Sequence, residues 1–105
     1  MQVINPATGE TEAQLACDAP CAIAEKFENA RKAQKDWARS ALSQRIEILS
    51  RFRDHVVRKQ DELARTLTLE VGKPITQSYN ELKGLGIRLD FFLTNVEKIQ
   101  TEEIV

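Results

Sequence analysis

The sequence predicts a mainly α-helical fold, in which a short N-terminal β-hairpin or extended arm precedes three to four helices. Long stretches of the chain place apolar residues at helical spacing. Near the start, Asn5-Pro6 and Gly9 mark a turn between two short apolar runs. Farther along, Gly72 suits the left-handed end of a helix, and Pro74 suits the first turn of the next one. A length of 105 residues predicts one domain at most.

The hairpin or arm is predicted over residues 1–17. Two short strands are marginal in water on their own, so we expect them to pack against other elements. The first helix is predicted over residues 18–40, with Asp18 as a candidate N-cap and Pro20 in the first turn. Its apolar stripe has helical spacing and comprises Ile23, Phe27, Ala30, Ala33 or Gln34, and Trp37.

The second helix is predicted over residues 43–71, with Ser43 as a candidate N-cap. Residues 58–62 include no apolar side chain, so a break near 59–61 is the alternative to one continuous helix. The last helix is predicted over residues 74–100. Apolar residues recur along these helices at helical spacing, at Ile46, Leu49, Phe52, Val56, Leu63 and Leu67, and then at Ile75, Tyr79, Leu82, Leu89, Val96 and Ile99.

The composition argues against several classes of function. Fifteen Lys and Arg balance sixteen Asp and Glu with no block of like charge, so we expect neither a nucleic-acid nor an anionic-membrane surface. No apolar stretch approaches the roughly 20 residues of a membrane-spanning helix. The first residues lack the pattern of a signal peptide. Cys17 and Cys21 are therefore predicted to be reduced thiols in a cytoplasmic protein.

Several segments, spread over nearly the whole chain, carry a family resemblance. They include Asn5-Pro6-Ala7-Thr8-Gly9-Glu10 near the start and Leu69-Glu70-Val71-Gly72-Lys73-Pro74 between the last two helical stretches. Residues 30–38, 43–49, 62–64 and 80–81 continue the series. In order and in spacing, these segments resemble the N-terminal part of NAD(P)-dependent aldehyde dehydrogenases.

The resemblance implies a fold in which the hairpin and helices lead into a doubly wound, cofactor-binding sheet. The last two residues, Ile104-Val105, are typical of the start of a strand. The resemblance also implies a reaction. A cysteine thiolate attacks the aldehyde, the thiohemiacetal passes hydride to NAD(P)⁺, and a glutamate-activated water releases the acid while amide donors hold the oxyanion.

In the family, the cysteine, the glutamate, the oxyanion asparagine, the cofactor-binding loop and the oligomerisation strands all lie downstream of the equivalent of Gly72-Lys73-Pro74. The resemblance therefore assigns no catalytic and no cofactor-binding residue within this chain. We expect the chain alone to bind neither NAD nor NADP and to oxidise no aldehyde.

Four residues that could carry chemistry favour a structural interpretation. Cys17 and Cys21 have no His or Glu placed by the sequence to activate a thiol, and two thiols are half of a zinc site. His55 is a lone histidine on the flank of a helix. Lys73 lacks the Gly-rich cradle and the following Ser or Thr of a phosphate-binding loop.

Glu70 is a candidate ligand for a monovalent cation. Several aldehyde dehydrogenases hold such a cation between the residue before the Asn-Pro turn and an acid three residues before the Lys of Gly-Lys-Pro. Those positions here are Ile4, through its backbone carbonyl, and Glu70. Backbone and carboxylate oxygens suit a hard cation, and at least one further ligand lies downstream.

Apolar helix faces predict a protein partner. We expect self-association, as a dimer, through the faces around Trp37 and Phe91-Phe92, or association with the remainder of the enzyme. A free-standing helical interaction module without enzymatic activity is the alternative. A seven-residue repeat of Leu42, Leu49, Val56 and Leu63 suggests a helix-packing seam. Its complementary positions are polar, at Arg53, Lys59 and Gln60, which disfavours a coiled coil.

Overall fold

The computed structural model describes residues 1–101, with side chains through residue 99. Within these residues it contains a two-stranded antiparallel hairpin followed by four helices, which confirms the predicted mainly α-helical fold. The bounds are β1 Gln2–Ile4, β2 Thr11–Gln14, α1 Pro20–Arg39, α2 Leu42–Arg58, α3 Gln60–Val71 and α4 Ile75–Thr101. The predicted strand at Ile104-Val105 lies outside the described residues.

The hairpin ladder is irregular next to its turn. Val3 pairs with Ala13, whereas Ile4 pairs with Thr11, so Glu12 is the extra residue of a β-bulge. A bulge bends and twists the strand that carries it. Here the Glu12 carboxylate accepts a hydrogen bond from Nδ2 of Asn5, at the start of the turn.

Helix α1 begins at Pro20 rather than at the predicted residue 18. Ala19 has an extended backbone with ψ of 156°, because a residue before proline avoids the helical region. Asp18 is not the N-cap; its carboxylate pairs with Nζ of Lys26 at 2.5 Å. The helix ends at Arg39, one residue before the predicted bound, and none of its residues is buried.

The predicted helix over residues 43–71 is two helices in the structure. Helices α2 and α3 meet at Lys59, whose φ of −98° and ψ of 12° interrupt the helical run. This is the break expected near 59–61, where no apolar side chain anchors a continuous helix. Nζ of Lys59 binds the Glu62 carboxylate at 2.6 Å. That hydrogen bond, together with the lysine charge, lowers the pKa of Glu62.

The start of α2 differs from the prediction by one residue. Leu42 is the first helical residue, so Ser43 lies inside the first turn and is not the N-cap. The N-cap is Ala41, which has no side-chain oxygen to offer the first turn. Its backbone amide donates to Oε1 of Gln44 at 3.3 Å. This is one of the two hydrogen bonds of a capping box; the other needs a side-chain oxygen on the cap, which alanine lacks.

At the junction between α3 and α4, Gly72 ends one helix and Pro74 precedes the next. Gly72 ends α3 in the left-handed conformation, with φ of 76°, and its amide donates to the Thr68 carbonyl at 2.8 Å. Helix α4 begins at Ile75, one residue after the predicted start. Pro74 precedes it and accepts hydrogen bonds from the first turn through its carbonyl.

Helix α4 packs against both α2 and α3. Ala64 and Ser78 are fully buried where α3 meets α4, because small side chains let the two helices approach closely. Val56 is buried on α2. Arg53 of α2 donates two hydrogen bonds to the Asp90 carboxylate of α4, at 2.9 and 3.0 Å. None of the helices in the described residues has the length and apolarity needed to cross a bilayer.

Candidate functional site

The turn of the hairpin packs against the α3–α4 junction. Pro6 lies directly over Gly72, where an added Cβ would overlap Cγ of Pro6 and would lie 3.4 Å from its Cβ. A left-handed backbone and the close approach of a proline ring both require a residue without a side chain. Gly72 meets both requirements. The contact joins the Asn-Pro and Gly-Lys-Pro motifs, which are far apart in the sequence.

Asn5 holds the turn in shape. It is buried, and both ends of its amide have partners. Oδ1 accepts the Ala7 backbone amide at 3.0 Å, and Nδ2 donates to Oε1 of Glu12 at 2.9 Å. Its backbone amide and carbonyl bond to Glu10 and Gly9, each at 2.8 Å. A buried amide with all these bonds made fixes one conformation of the turn.

The two residues predicted to bind a cation flank this contact. Ile4 ends β1 two residues before Pro6, and Glu70 lies in the last turn of α3 two residues before Gly72. Glu70 takes part in none of the ion pairs formed by the described residues. Across residues 1–101, no three His, Cys, Asp or Glu side chains cluster closely enough to hold a metal ion.

The structure places the thiols and the histidine on separate elements. Cys17 follows the hairpin and Cys21 lies in the first turn of α1, and both are exposed and outside any disulfide bond. Sγ of Cys17 accepts a hydrogen bond from the N-terminal ammonium at 3.7 Å. His55 is exposed on α2. Nothing in the described part of the chain joins either thiol to the imidazole, so these three residues form no nucleophile–base pair.

Lys73 has a structural contact. Its Nζ pairs with the Glu81 carboxylate of α4. The pair spans the junction and the second turn of α4. It leaves the lysine engaged within the chain rather than directed at a ligand.

An apolar groove lies between the start of α2 and the C-terminal half of α4. Its volume is about 190 Å³. Trp37, near the end of α1, contributes to its lining. Eight further residues line it, namely Leu42, Arg45, Ile46, Leu49, Leu89, Phe92, Leu93 and Val96. The predicted face around Trp37 and the predicted face around Phe92 are therefore parts of one surface.

Arg45 is the charged residue in this groove, and the sequence analysis missed it. Its Nε is shielded from solvent and has no hydrogen-bond partner among the described residues. Leaving a buried donor unpaired costs about 1–3 kcal/mol. The signal was present in the sequence, because Arg45 follows Leu42 by three residues and precedes Leu49 by four, which places a cation on an apolar helix face.

Comparison with known proteins identifies the family. A model of the aldehyde dehydrogenase family matches residues 1–105. The chain belongs to this family. It corresponds to an N-terminal segment of an aldehyde dehydrogenase.

Individual aldehyde dehydrogenases are similar to this chain over a small part of their own length. Malonate-semialdehyde dehydrogenase 2 of Bacillus cereus is 34% identical over 84 residues, which cover 79% of this chain and 17% of that protein. A 3,6-anhydro-alpha-L-galactose dehydrogenase of Streptomyces coelicolor is 31% identical over 94 residues, 90% of this chain and 19% of that protein. A mitochondrial succinate-semialdehyde dehydrogenase of Oryza sativa is 27% identical over 99 residues, which cover 94% of this chain and 19% of that protein. The chain thus spans less than one fifth of the length of these relatives.

Aldehyde dehydrogenases generally use NAD(P) and are typically oligomeric. This member of the family leaves much of its apolar surface uncovered. The chain exposes 8610 Å², whereas a compact monomer of 11.9 kDa exposes about 6,000 Å². Its radius of gyration is 18.4 Å, against about 13 Å for a compact domain of this length. Among the described residues, Val56 and Ala64 alone are buried apolar residues.

Proposed function

We propose that this chain is the helical N-terminal segment of an NAD(P)-dependent aldehyde dehydrogenase, an oxidoreductase that converts an aldehyde to an acid. The role of the segment is structural. Residues 1–105 form one partial domain whose apolar helix faces pack on the part of the enzyme that binds the cofactor and carries the catalytic thiol.

The uncovered surface carries this proposal. The chain exposes roughly 2,600 Å² more than a compact monomer of its mass. One partner in a standard-size interface contributes about 800 Å². The excess is about three times that area, so a single interface of ordinary size would leave most of it in water. Packing against several elements of a larger enzyme accounts for it better.

The chain alone is proposed to be inactive. Covalent oxidation of an aldehyde needs a thiolate with a nearby activating group and a cofactor positioned to accept hydride. Cys17 and Cys21 are exposed and free of disulfide bonds. The N-terminal ammonium donates to Sγ of Cys17 at 3.7 Å, but among the described residues no histidine or carboxylate is placed to act as a base for either thiol, and we assign no NAD(P)-binding residue to this segment. We propose a cytoplasmic location, a compartment in which free thiols such as these stay reduced.

A chimera tests the proposal. Residues 1–105 replace the matching segment of malonate-semialdehyde dehydrogenase 2 from Bacillus cereus, and formation of reduced nicotinamide is followed with the substrate of that enzyme. We expect turnover by the chimera and none by the pure chain, with the parent enzyme as the positive control. Turnover by the pure chain, or a folded chimera without turnover, would contradict the proposal.

A free-standing interaction module is the second candidate. The bidentate Arg53–Asp90 ion pair and the packing of α4 on α2 and α3 favour it, because these contacts give the helices some stability of their own. Urea unfolding separates the two functions. A single steep transition of the pure chain would favour the module, whereas gradual loss of helix would favour a segment that needs the rest of the enzyme.

We propose, in addition, that the pure chain forms a dimer through the groove face. This face comprises the groove-lining Trp37 and Phe92, both exposed, together with the exposed ring of Phe91, which packs edge-on against Phe92. In water, two copies would cover part of each other's apolar surface. In the enzyme, the same face would instead meet the remainder of the chain.

The Ile4 carbonyl and the Glu70 carboxylate are proposed to supply part of a monovalent cation site. The packing of Pro6 on Gly72 supports it, because this contact holds the two ligand-bearing segments side by side. Two oxygens are fewer than the six or more that hard cations generally take, so the site would be completed elsewhere in the enzyme. Thermal unfolding of the active chimera in Na⁺, K⁺ and tetramethylammonium salts tests it. Equal midpoints in the three salts would rule it out.

A further inference from the structure

We infer that the apolar groove between α2 and α4 receives a partner segment that presents a carboxylate to Arg45, flanked by apolar side chains. The inference deepens the proposed function, on which it rests, by giving the chemistry of the surface that covers this face. The partner is a protein segment bearing an Asp or Glu side chain between apolar residues.

The unpaired Nε of Arg45 is the first observation. Nε of Arg45 is shielded from solvent without an acceptor, and Arg45 belongs to none of the ion pairs among the described residues. The surrounding groove is apolar, apart from this one cation. A planar guanidinium matches a carboxylate with two parallel hydrogen bonds, and arginine is favoured over lysine where such pairs are removed from water.

The start of α2 supplies the second observation. The N-terminal turn of a helix carries a partial positive charge. In α2 this turn has no acidic residue, and its cap, Ala41, has no side-chain oxygen. Leu42 and Arg45, both in or next to this turn, line the groove. The N-terminal end of α2 and the guanidinium of Arg45 therefore both favour an anion at this end of the groove.

The extent of the apolar surface indicates a protein segment rather than a free fatty acid. A volume of about 190 Å³ is below the range of pockets that enclose small ligands, about 300–1,000 Å³. Phe92 remains 60% exposed and Trp37 40% exposed at the rim. A single alkyl chain would leave both rings in water, whereas several side chains of a protein segment would cover them.

Trp37 is the single tryptophan of the chain and lines the groove, so its fluorescence reports occupancy. The pure chain is titrated with 4-phenylbutyrate, which mimics an apolar side chain next to a carboxylate, and with 4-phenylbutyramide, which has the same shape without the charge. We expect the acid to bind about tenfold more tightly than the amide, from the charge-assisted hydrogen bonds.

Arg45→Met keeps the length of the side chain and removes the cation, so it should abolish the preference for the acid. Arg51→Met is the matched control, since Arg51 lies on the same helix, is 70% exposed and is not part of the groove. It should keep the preference. Equal binding of acid and amide to the original chain, absence of binding, or a preference that survives Arg45→Met would overturn the inference.

The chimera described above gives a second measurement. Arg45→Met should lower its unfolding midpoint, Arg45→Lys should restore part of the loss, and Arg51→Met should leave it unchanged. An active chimera that tolerates Arg45→Met as well as Arg51→Met would overturn the carboxylate partner while leaving the proposed function intact. An inactive, folded chimera, combined with a pure chain whose Trp37 fluorescence distinguishes the acid from the amide, would instead contradict the proposed function alone.

Discussion

Pro6 packs against Gly72, and this contact joins the N-terminal turn to the junction of α3 and α4. The two residues are far apart in the sequence, one in the turn of the hairpin and the other at the end of α3. The buried Asn5 amide holds the turn that presents the proline, and the left-handed end of α3 presents the glycine. The hairpin, which would be marginal alone, gains its support here.

Gly72→Ala should therefore destabilise the chain more than Gly9→Ala. Both glycines have φ of 76°, so an alanine at either costs about 1–2 kcal/mol in backbone strain. The space around Gly9 is open, whereas at Gly72 the new methyl group also meets the Pro6 ring, which adds about 1–3 kcal/mol. Urea unfolding followed by circular dichroism compares the two variants. Adding Pro6→Ala should recover part of the Gly72→Ala loss, and equal losses at the two glycines would contradict the packing.

The hydroxyl pair between α3 and α4 should behave as one unit. Oγ1 of Thr68 and Oγ of the fully buried Ser78 lie 2.9 Å apart. Ser78→Ala removes one partner and leaves the other unpaired, which should cost about 1 kcal/mol. Thr68→Val with Ser78→Ala removes both groups and should cost less than the sum of the single changes. A double-mutant cycle on unfolding free energies checks this; strict additivity would be the contrary result.

Alkaline pH should weaken the folded state through Tyr79. Its hydroxyl donates to Oδ1 of Asp61 at 3.1 Å, and this hydrogen bond, with burial and the carboxylate charge, raises the pKa of Tyr79. The folded chain therefore holds the phenolic proton more tightly than the unfolded chain does. The contribution of this proton to the free energy of unfolding is fully present below the pKa of about 10 in the unfolded chain. It is lost as the pH rises through the higher pKa of the folded chain.

The chain has a single tyrosine, so phenolate absorbance titrates Tyr79 directly. Asp61→Ala should return the titration toward pH 10, the ordinary value. Tyr79→Phe should remove this contribution to the loss of stability at high pH. An unchanged absorbance titration in Asp61→Ala would contradict the hydrogen bond as the cause.

Gly84→Ala should stabilise the pure chain. Gly84 lies inside α4, and among the described residues no side chain or neighbouring element comes within 4 Å of the place where its Cβ would be. Alanine favours a helix by about 1 kcal/mol over glycine. Thermal unfolding by circular dichroism measures the gain. In the active chimera the gain should be smaller or reversed if a neighbouring element packs at this position. A destabilised pure chain would contradict the open space at Gly84.

Self-association of the pure chain should depend on the groove face. Phe92→Glu puts a charge on an exposed ring of that face, 60% accessible in the structure, and should shift light scattering from dimer toward monomer. Leu15→Glu is the control, since Leu15 is also exposed, at 49%, but lies beside the hairpin. A monomeric original chain at high concentration would contradict the proposed dimer.

The sequence predicted the order of elements because the apolar stripes and the Gly72–Pro74 junction are local signals. It placed the helix starts less well. Asp18 and Ser43 have the chemistry of N-caps, but Pro20 delays one helix and the Gln44 side chain supports Ala41 as the cap of the other. Competing local bonds of similar strength decide such boundaries.

The site was less predictable than the fold. The Pro6–Gly72 contact could not be predicted from the spacing of residues in the sequence, because it depends on how two separate segments pack. The same holds for the bulge at Glu12, which depends on the pairing register of the two strands. Arg45 had a detectable signal in its apolar neighbours. The shielding of its Nε from solvent could not be predicted, because it depends on how α4 packs beside α2.

The absence of buried residues in α1 has a consequence for biosynthesis. Helices α2, α3 and α4 are consecutive, so their mutual contacts close short loops and can form quickly. Helix α1 leaves the ribosome before them, yet Phe27 remains 60% exposed after all three have packed. A helix that emerges early and is covered late is a natural binding site for chaperones during translation. On the proposed function, we therefore expect α1 to be the first helix synthesised and the last to be covered.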